Sequence, residues 1–435
     1  MTNETFILQH RETDVRRLAL SRPPEGVDLH WCLQQIEGWQ LACRKLPLWA
    51  GTEGLWFPPR ISLEQCSSQA TALYKRRVVE RLIPPAERST MTDLTGGMGV
   101  DFATMAPLFQ RQRYVEILPH LRQLALHNLP LLGLPHALVM APDGCLSENG
   151  REGLPTPSVP RCSIENCSFI FLDPSRRDTT GRKTVALANC TPNLLNIQDT
   201  LLAHTHWLMV KLSPMLDIRQ ALRQLRSVRE IHVVSLQGEC KELLFLMQGG
   251  ATKEKATPHT HSEGKTIPLH CVNLGTDEDE LTLLYPILQR GDAPSCKKEE
   301  GTSAGNLLLP SPEGMEGNFL YEPNASILKA GVQDRLCQHY DVQKLHPLSH
   351  LFVARQLVPH FPGRRFRITG WSDFSKRNLK HLLSGLSQAN LAVRNFPTPV
   401  AQLRHHLHLA EGGDTYLFAT TLADGRHALI RCLKA

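Results

Sequence analysis

The nonapeptide Asp93-Leu94-Thr95-Gly96-Gly97-Met98-Gly99-Val100-Asp101 joins a short apolar strand to the start of a helix. Such a turn serves a polar ligand in two ways. Its glycines let the backbone come close, and the helix start offers unpaired N–H groups. The glycine spacing is not Gly-x-Gly-x-x-Gly, which argues against a dinucleotide fingerprint, and no Gly-Lys-Ser/Thr follows, which excludes a triphosphate loop. Glu116 stands about twenty residues on, at the end of the next strand, where a carboxylate takes both hydroxyls of a ribose, with Ile117 beside it to pack on an adenine face. Asp143, followed by Gly144, lies just past the third strand and suits an exocyclic amine. The fourth strand ends in Asp173-Pro174-Ser175-Arg176-Arg177. Acids at successive strand ends matter because ligands of open α/β sheets bind outside the carboxyl ends of the strands.

The elements that must position these residues follow from periodicity. Short apolar runs predict parallel strands at Met91–Leu94, Tyr114–Ile117, Ala137–Met140, Phe169–Leu172 and Trp207–Leu212, with helices between them. Two further runs, 230–235 and 241–247, are separated only by a short segment containing Gly238, so they must pair as an antiparallel hairpin. Residues 1–60 carry helical periodicity and read as a helical N-terminal subdomain; a helix is predicted over 62–83, ended by Pro84-Pro85. Its basic cluster, Lys75, Arg76, Arg77 and Arg81, reads as mostly solvated, with contact to a nucleic acid or to the site as the alternative. Residues 61–250 form the α/β domain. Residues 251–345 read as a linker and small subdomain with apolar islands at 266–273 and 281–288, and 361–435 as a small α+β module. Its expected parts are strand 365–369, a helix from 373 or 374 to 386, strand 392–395, helix 400–407, and a hairpin around Asp424-Gly425.

Composition narrows the class. With 435 residues, 41% hydrophobic and 21% charged, the chain reads as an ordinary globular protein of two or three domains. No apolar run nears the ~18 residues that span a bilayer, and no secretory signal opens the chain, so a cytoplasmic protein without membrane association is expected. The 12 cysteines are scattered without a Cys-x-x-Cys pair, Cys162 and Cys167 lack a second pair, and His259, His261, His405, His406 and His408 read as loop and helix surface. No metal is expected. The net charge of +6 is uneven: residues 361–435 hold 11 Lys/Arg against 4 Asp/Glu. That excess predicts an acidic partner for the tail.

The segment from Asp93 to Gly99 has the form Asp-x-x-x-Gly-x-Gly, and Asp173-Pro174 stands where class I methyltransferases of exocyclic base amines carry Asp/Asn-Pro-Pro and an aromatic. The chain resembles these enzymes, and more narrowly the bacterial class I methyltransferases with a C-terminal THUMP-like domain. Carrying that resemblance are Ser67-Ser68-Gln69-Ala70-Thr71 with Tyr74-Lys75, Asp93 to Asp101, Asp173 to Arg177, Lys211 to Asp217, Tyr321-Glu322-Pro323-Asn324-Ala325, and Val393-Arg394-Asn395-Phe396-Pro397 with Gly413-Asp414 and Tyr416-Leu417. It implies a Rossmann-like α/β sheet with an antiparallel last strand, a small ferredoxin-like subdomain in the middle region, and S-adenosylmethionine as cofactor. Asp93, Thr95, Gly96, Gly97, Gly99, Asp101, Glu116, Ile117, Asp143 and Gly144 would hold the cofactor.

The catalytic set would be Asp173, Pro174, Ser175 and Arg176. Asp173 and the Pro174 carbonyl would accept hydrogen bonds from the nucleophile, and Arg176 or Arg177 would hold a phosphate or carboxylate or pair with a surface acid. Lys211, Asp217 and Lys75 could line the pocket or be structural. Ser175 and Arg176 replace the second proline and the aromatic, so the platform for a flipped base is missing there. The tail resembles RNA-binding domains, making RNA the expected partner through Arg364, Arg365, Arg367, Lys376, Arg377 and Lys380. Alternatives are methylation of a protein or small molecule, or a module that binds cofactor and RNA without turnover.

Overall fold

The computed structural model describes residues 1–142, 164–165, 167–175, 187–250, 266–275, 278–286 and 315–435. Asp143, Gly144, Arg176, Arg177, Cys162, His259 and His261 lie outside them.

The chain opens on helices Asn3–His10 (α1), Val15–Leu18 (α2), Leu29–Lys45 (α3), Pro47–Ala50 (α4), Arg60–Gln65 (α5) and Gln69–Leu82 (α6). The single helix expected over 62–83 is thus two. Ser68 ends the first continuity by capping the second helix: its side chain accepts the Thr71 N–H, satisfying a donor that a continuous helix would have used internally. The first sheet then builds from Thr90–Asp93 (β1), Arg111–Val115 (β2), Leu138–Met140 (β3), Cys167–Leu172 (β4), Thr205–Leu212 (β5), Val228–Leu236 (β6) and Glu239–Gln248 (β7), with helices Val100–Met105 (α7), Pro119–Leu131 (α8), Leu194–His204 (α9) and Ile218–Gln224 (α10) between strands.

Its order is β3-β2-β1-β4-β5-β7-β6, extended by Thr266–Leu274 (β8) and Asp279–Pro286 (β9). The first five strands are parallel, and β7 runs antiparallel between β5 and β6. Only Gln237 and Gly238 join β6 to β7, both at positive φ (53° and 78°), the geometry that matches the twist of a tight hairpin. All six residues of β4 are buried, as a central parallel strand covered on both faces requires. The islands expected in a linking subdomain are first-sheet strands instead: β8 pairs parallel with β6, and β9 antiparallel with β8.

The two faces of this sheet hold separate cores. On one lie Met91, Phe169, Phe171, Met209, Leu244 and Leu246, packed with residues of α6, α7 and α8. On the other lie Ile170, Leu172, Leu208, Val210, Leu243 and Phe245, in one cluster with Tyr321, Phe352 and Phe361 from the second sheet. The alternation of 243 and 245 against 244 and 246 shows the period of two directly.

That second sheet comprises Phe319–Pro323 (β10), Gln343–Lys344 (β11), Phe352–Ala354 (β12), Gly363–Ser372 (β13), Asn390–Arg394 (β14), Thr415–Thr421 (β15) and His427–Lys434 (β16), in the order β11-β12-β10-β13-β16-β15-β14. Helices Ala325–Ala330 (α11) and Leu336–His339 (α12) follow β10 and precede β11; Lys376–Leu382 (α13) and Val400–Leu407 (α14) flank β14. The helix expected from 373 or 374 to 386 is shorter at both ends. The Asp373 carboxylate accepts the Ser375 N–H and hydroxyl ahead of it, and Gly385 at φ 77° lies beyond its end.

Candidate active site

The glycine turn follows β1, at the place where the strand order reverses between β2 and β4. That reversal leaves a crevice at the carboxyl ends of the strands. Gly96 must be glycine, because a Cβ there would stand 2.3 Å from the Tyr114 ring. Gly97 (φ 60°) and Gly99 (φ 89°) occupy the left-handed region. Tyr114, fully buried, donates its hydroxyl to the Gly97 carbonyl at 2.6 Å, bracing the turn from below.

Asp93 and Thr95 tie this turn to β4. The Asp93 carboxylate accepts the Thr95 N–H at 2.9 Å, and the Thr95 hydroxyl oxygen accepts the Asp173 N–H at 2.7 Å. Burial pushes the Asp93 carboxyl up to about 8, against the pull of the Thr95 N–H and with the push of Asp101, Asp173 and Glu116. Glu116 accepts the Gly97 N–H and the Leu118 N–H, each at 2.7 Å, so both its oxygens are engaged by backbone. Ile117 beside it is 60% exposed, an apolar side chain held open at the crevice. Arg122 fixes this strand end by donating to the carbonyls of Glu116 and Ile117, both at 2.8 Å.

At the end of β4, the Asp173 carboxylate meets the Lys211 ammonium of β5 at 2.5 Å. Pro174 is buried, and Ser175 forms a backbone bridge to Thr191. Lys211 also donates to the Ser67 hydroxyl (3.1 Å), which donates to Asp101 (2.6 Å). Asp101 therefore turns inward, away from the ligand-holding role expected of it. Lys75 was expected among solvated cations, yet it has no exposed surface and lies between Glu242 (2.6 Å) and Asp101 (3.1 Å). The rest of that cluster is paired at the surface: Arg76 with Glu80, Arg77 with Glu278, Arg81 with Glu230.

Burial works to lower the Lys211 ammonium, but Asp173, Asp101 and Glu242 outweigh it and raise it above its usual range. Burial likewise raises the Asp101 carboxyl, and the cations Lys75 and Lys211 reverse this to a net lowering. Lys75 and Lys211 thus face the carboxyl groups of Asp101, Glu242 and Asp173.

The structure brings Asp93, Thr95, Gly96, Gly97, Gly99, Glu116, Ile117 and Asp173 together around the crevice. Asp217 caps α10, accepting the Gln220 N–H. Tyr114, Ser67 and Glu242 were not singled out for the site. One signal for the buried network was present: Lys75 falls in the stripe Thr71, Ala72, Tyr74, Val78, Val79 that α6 buries, where an apolar residue is expected.

Residues 319–362 match the family model of a ferredoxin-like domain, and 363–434 that of a THUMP domain-like family. The ferredoxin-like match thus starts at β10, well inside the interval expected for that subdomain and beyond β8 and β9. Over 100% of its length the chain superposes on 97% of a Porphyromonas gingivalis W83 protein assigned as a methyltransferase, with 30% identity and a TM-score of 0.75. The chain belongs to this methyltransferase family. Other solved structures align more locally with this methyltransferase. A Streptococcus thermophilus rRNA methylase covers 42% of it with 95% of its own chain (13% identity, TM-score 0.26). TrmK of M. capricolum, solved with S-adenosylhomocysteine, covers 41% with 68% of its own (10% identity, TM-score 0.27). No curated protein matches this methyltransferase.

Proposed function

We propose that this methyltransferase uses S-adenosylmethionine to methylate RNA, with the methyl donor lying in the crevice between the Asp93–Gly99 turn, Glu116 and Asp173. The observation that carries the reading is the convergence of these residues on the carboxyl ends of β1, β2 and β4, at the reversal of strand order. S-adenosylmethionine supplies a methyl group on a positively charged sulfur. The residues fit such a ligand on three counts: a turn without side chains at Gly96 and Gly97, the exposed Ile117 for a flat apolar ring, and a carboxylate-rich cluster for a cation. Glu116 would exchange its bond to the Gly97 N–H for ribose hydroxyls. Asp173 would accept a hydrogen bond from the nucleophilic atom and hold it in line with the methyl, the alignment that a direct displacement chiefly demands. Lys211 fixes the orientation of Asp173 meanwhile.

RNA as substrate is supported by the THUMP-like match and by the basic surface of α13, where Lys376, Arg377 and Lys380 are all exposed, as is Arg367. Arg364 and Arg365 also make bonds within the chain. Arg364 shares the buried Glu322 carboxylate with Arg394, and Arg365 donates to the Pro359 carbonyl.

Calorimetric titration with S-adenosylmethionine and S-adenosylhomocysteine tests the cofactor. Saturable binding that disappears in Gly97→Arg is the expected result; absence of binding to the unaltered protein would remove the reading. Methyl transfer to cellular RNA but not to protein, using a radiolabelled donor, then separates RNA from the other substrate classes.

A further inference from the structure

On the face of the first sheet covered by α6, between Tyr74 and Arg81 of that helix, three potential ligands meet: Glu230 and His232 of β6 and His270 of β8. Their donor atoms lie within 4.8 Å of one another. The two histidines are paired in register across parallel strands and are 1% and 8% exposed. Both present Nε2 to the same carboxylate oxygen, Glu230 Oε2, at 3.2 Å and 3.8 Å. Ligands on a tetrahedral ion with bonds of about 2.0–2.1 Å stand roughly 3.3 Å apart, so these spacings bracket what one ion sets.

The opposite ring nitrogens are already held. His270 Nδ1 is 2.7 Å from Glu280, and His232 Nδ1 is 2.7 Å from the Tyr74 hydroxyl. A carboxylate or hydroxyl behind the far nitrogen is the arrangement that orients histidine ligands toward a metal. With its Nδ1–H given to Glu280, His270 keeps a bare acceptor at Nε2, and that buried atom has no hydrogen-bond partner. Glu230 is in turn held by Arg81, through Oε1 at 3.0 Å and Oε2 at 2.5 Å.

We propose that Glu230, His232 and His270 form a zinc site that clips β8, and with it the sheet extension, to β6 beneath α6. Two imidazoles and one carboxylate suit a borderline divalent ion with water as fourth ligand. On binding, His232 moves its proton from Nε2 to Nδ1, where the Tyr74 oxygen accepts it, while Arg81 retains Oε1. The rings are stacked, with centroids 4.3 Å apart and planes 8° from parallel. Both must therefore tilt to bring their lone pairs onto one ion. The site is independent of the methyl-transfer reading and was not foreseen from the sequence, where no metal was expected.

Chelator-treated full-length protein, titrated with zinc chloride and separately with cobalt chloride, tests this without reference to activity. The expected result is one tight equivalent of zinc and visible cobalt absorption of four-coordinate type. His270→Ala should abolish both, and Glu280→Gln should weaken binding by about 10–100-fold. Absence of a tight equivalent, or unchanged binding in His270→Ala, overturns the site. Should His270→Ala fail to fold, unchanged zinc affinity in Glu280→Gln overturns it equally. S-adenosylmethionine titration of the same variants separates this outcome from failure of the proposed function.

Discussion

Asp173 is held at its backbone by Thr95 and at its carboxylate by Lys211, an arrangement that fixes direction more firmly than a lone acid on a loop. In the proposed function, replacing it by alanine would remove the acceptor that aligns the nucleophile but leave the turn intact. Asp173→Ala should therefore lower kcat by about 10²–10⁴-fold, the range for a positioned acid–base group, with calorimetric affinity for S-adenosylmethionine nearly unchanged. Loss of binding in step with activity would instead make Asp173 part of the cofactor's seat. Asp93 carries a different signature. Its carboxyl is held up at about 8 in the fold, against about 4 in an unfolded chain. Between those values the folded state keeps a proton that the unfolded state has lost, so this group's contribution to stability falls as pH rises from about 4 through 8. Urea unfolding at pH 5, 6.5 and 8 should show the parent protein losing stability relative to Asp93→Asn; parallel profiles would contradict the assignment. The acids themselves were legible from their positions at strand ends. Their partners were not, because Tyr114, Ser67 and Glu242 take their roles from contacts between segments far apart in sequence.

Helix α6 links the N-terminal helices to the sheet, and its Lys75–Glu242 pair is buried, with Ser67, Asp101 and the Thr71 carbonyl also around the ammonium. Breaking such a pair strands a charge, whereas replacing both members by apolar residues is often neutral. Lys75→Met should cost about 3–5 kcal/mol, and Lys75→Met with Glu242→Leu should recover most of that, as read from the shift in urea midpoint. A double variant as unstable as the single would mean that Asp101, not Glu242, is the partner that matters. At this scale the strands of the first sheet were readable, since buried parallel strands appear as short apolar runs between helices. The pairing of β8 and β9 was not: an apolar island announces a strand but not its neighbour, and β8 pairs with β6 across some thirty intervening residues. The break between α5 and α6 was marked by Ser67-Ser68, a capping signal inside a helical periodicity that by itself suggested continuity.

For the whole molecule, the uneven charge makes a quantitative expectation. Lys376, Arg377 and Lys380 stand exposed on one short helix. If they neutralise single-stranded phosphates, RNA affinity of the full chain falls with salt, and reversing all three to glutamate reduces the log–log slope by about 0.7 for each phosphate left without its cation. An unchanged slope would place the RNA elsewhere. The broad division into an α/β part and a smaller α+β part was visible in composition and periodicity; their union was not, since it depends on Tyr321, Phe352 and Phe361 joining the core cluster beneath β4, β5 and β7. That shared core has a consequence for target choice. Two bodies joined through one hydrophobic interior hold α13 and the crevice at a fixed span. If the proposed RNA reading holds, such a molecule would measure its target as a ruler does, selecting the nucleotide that lies one set length from the point of grip.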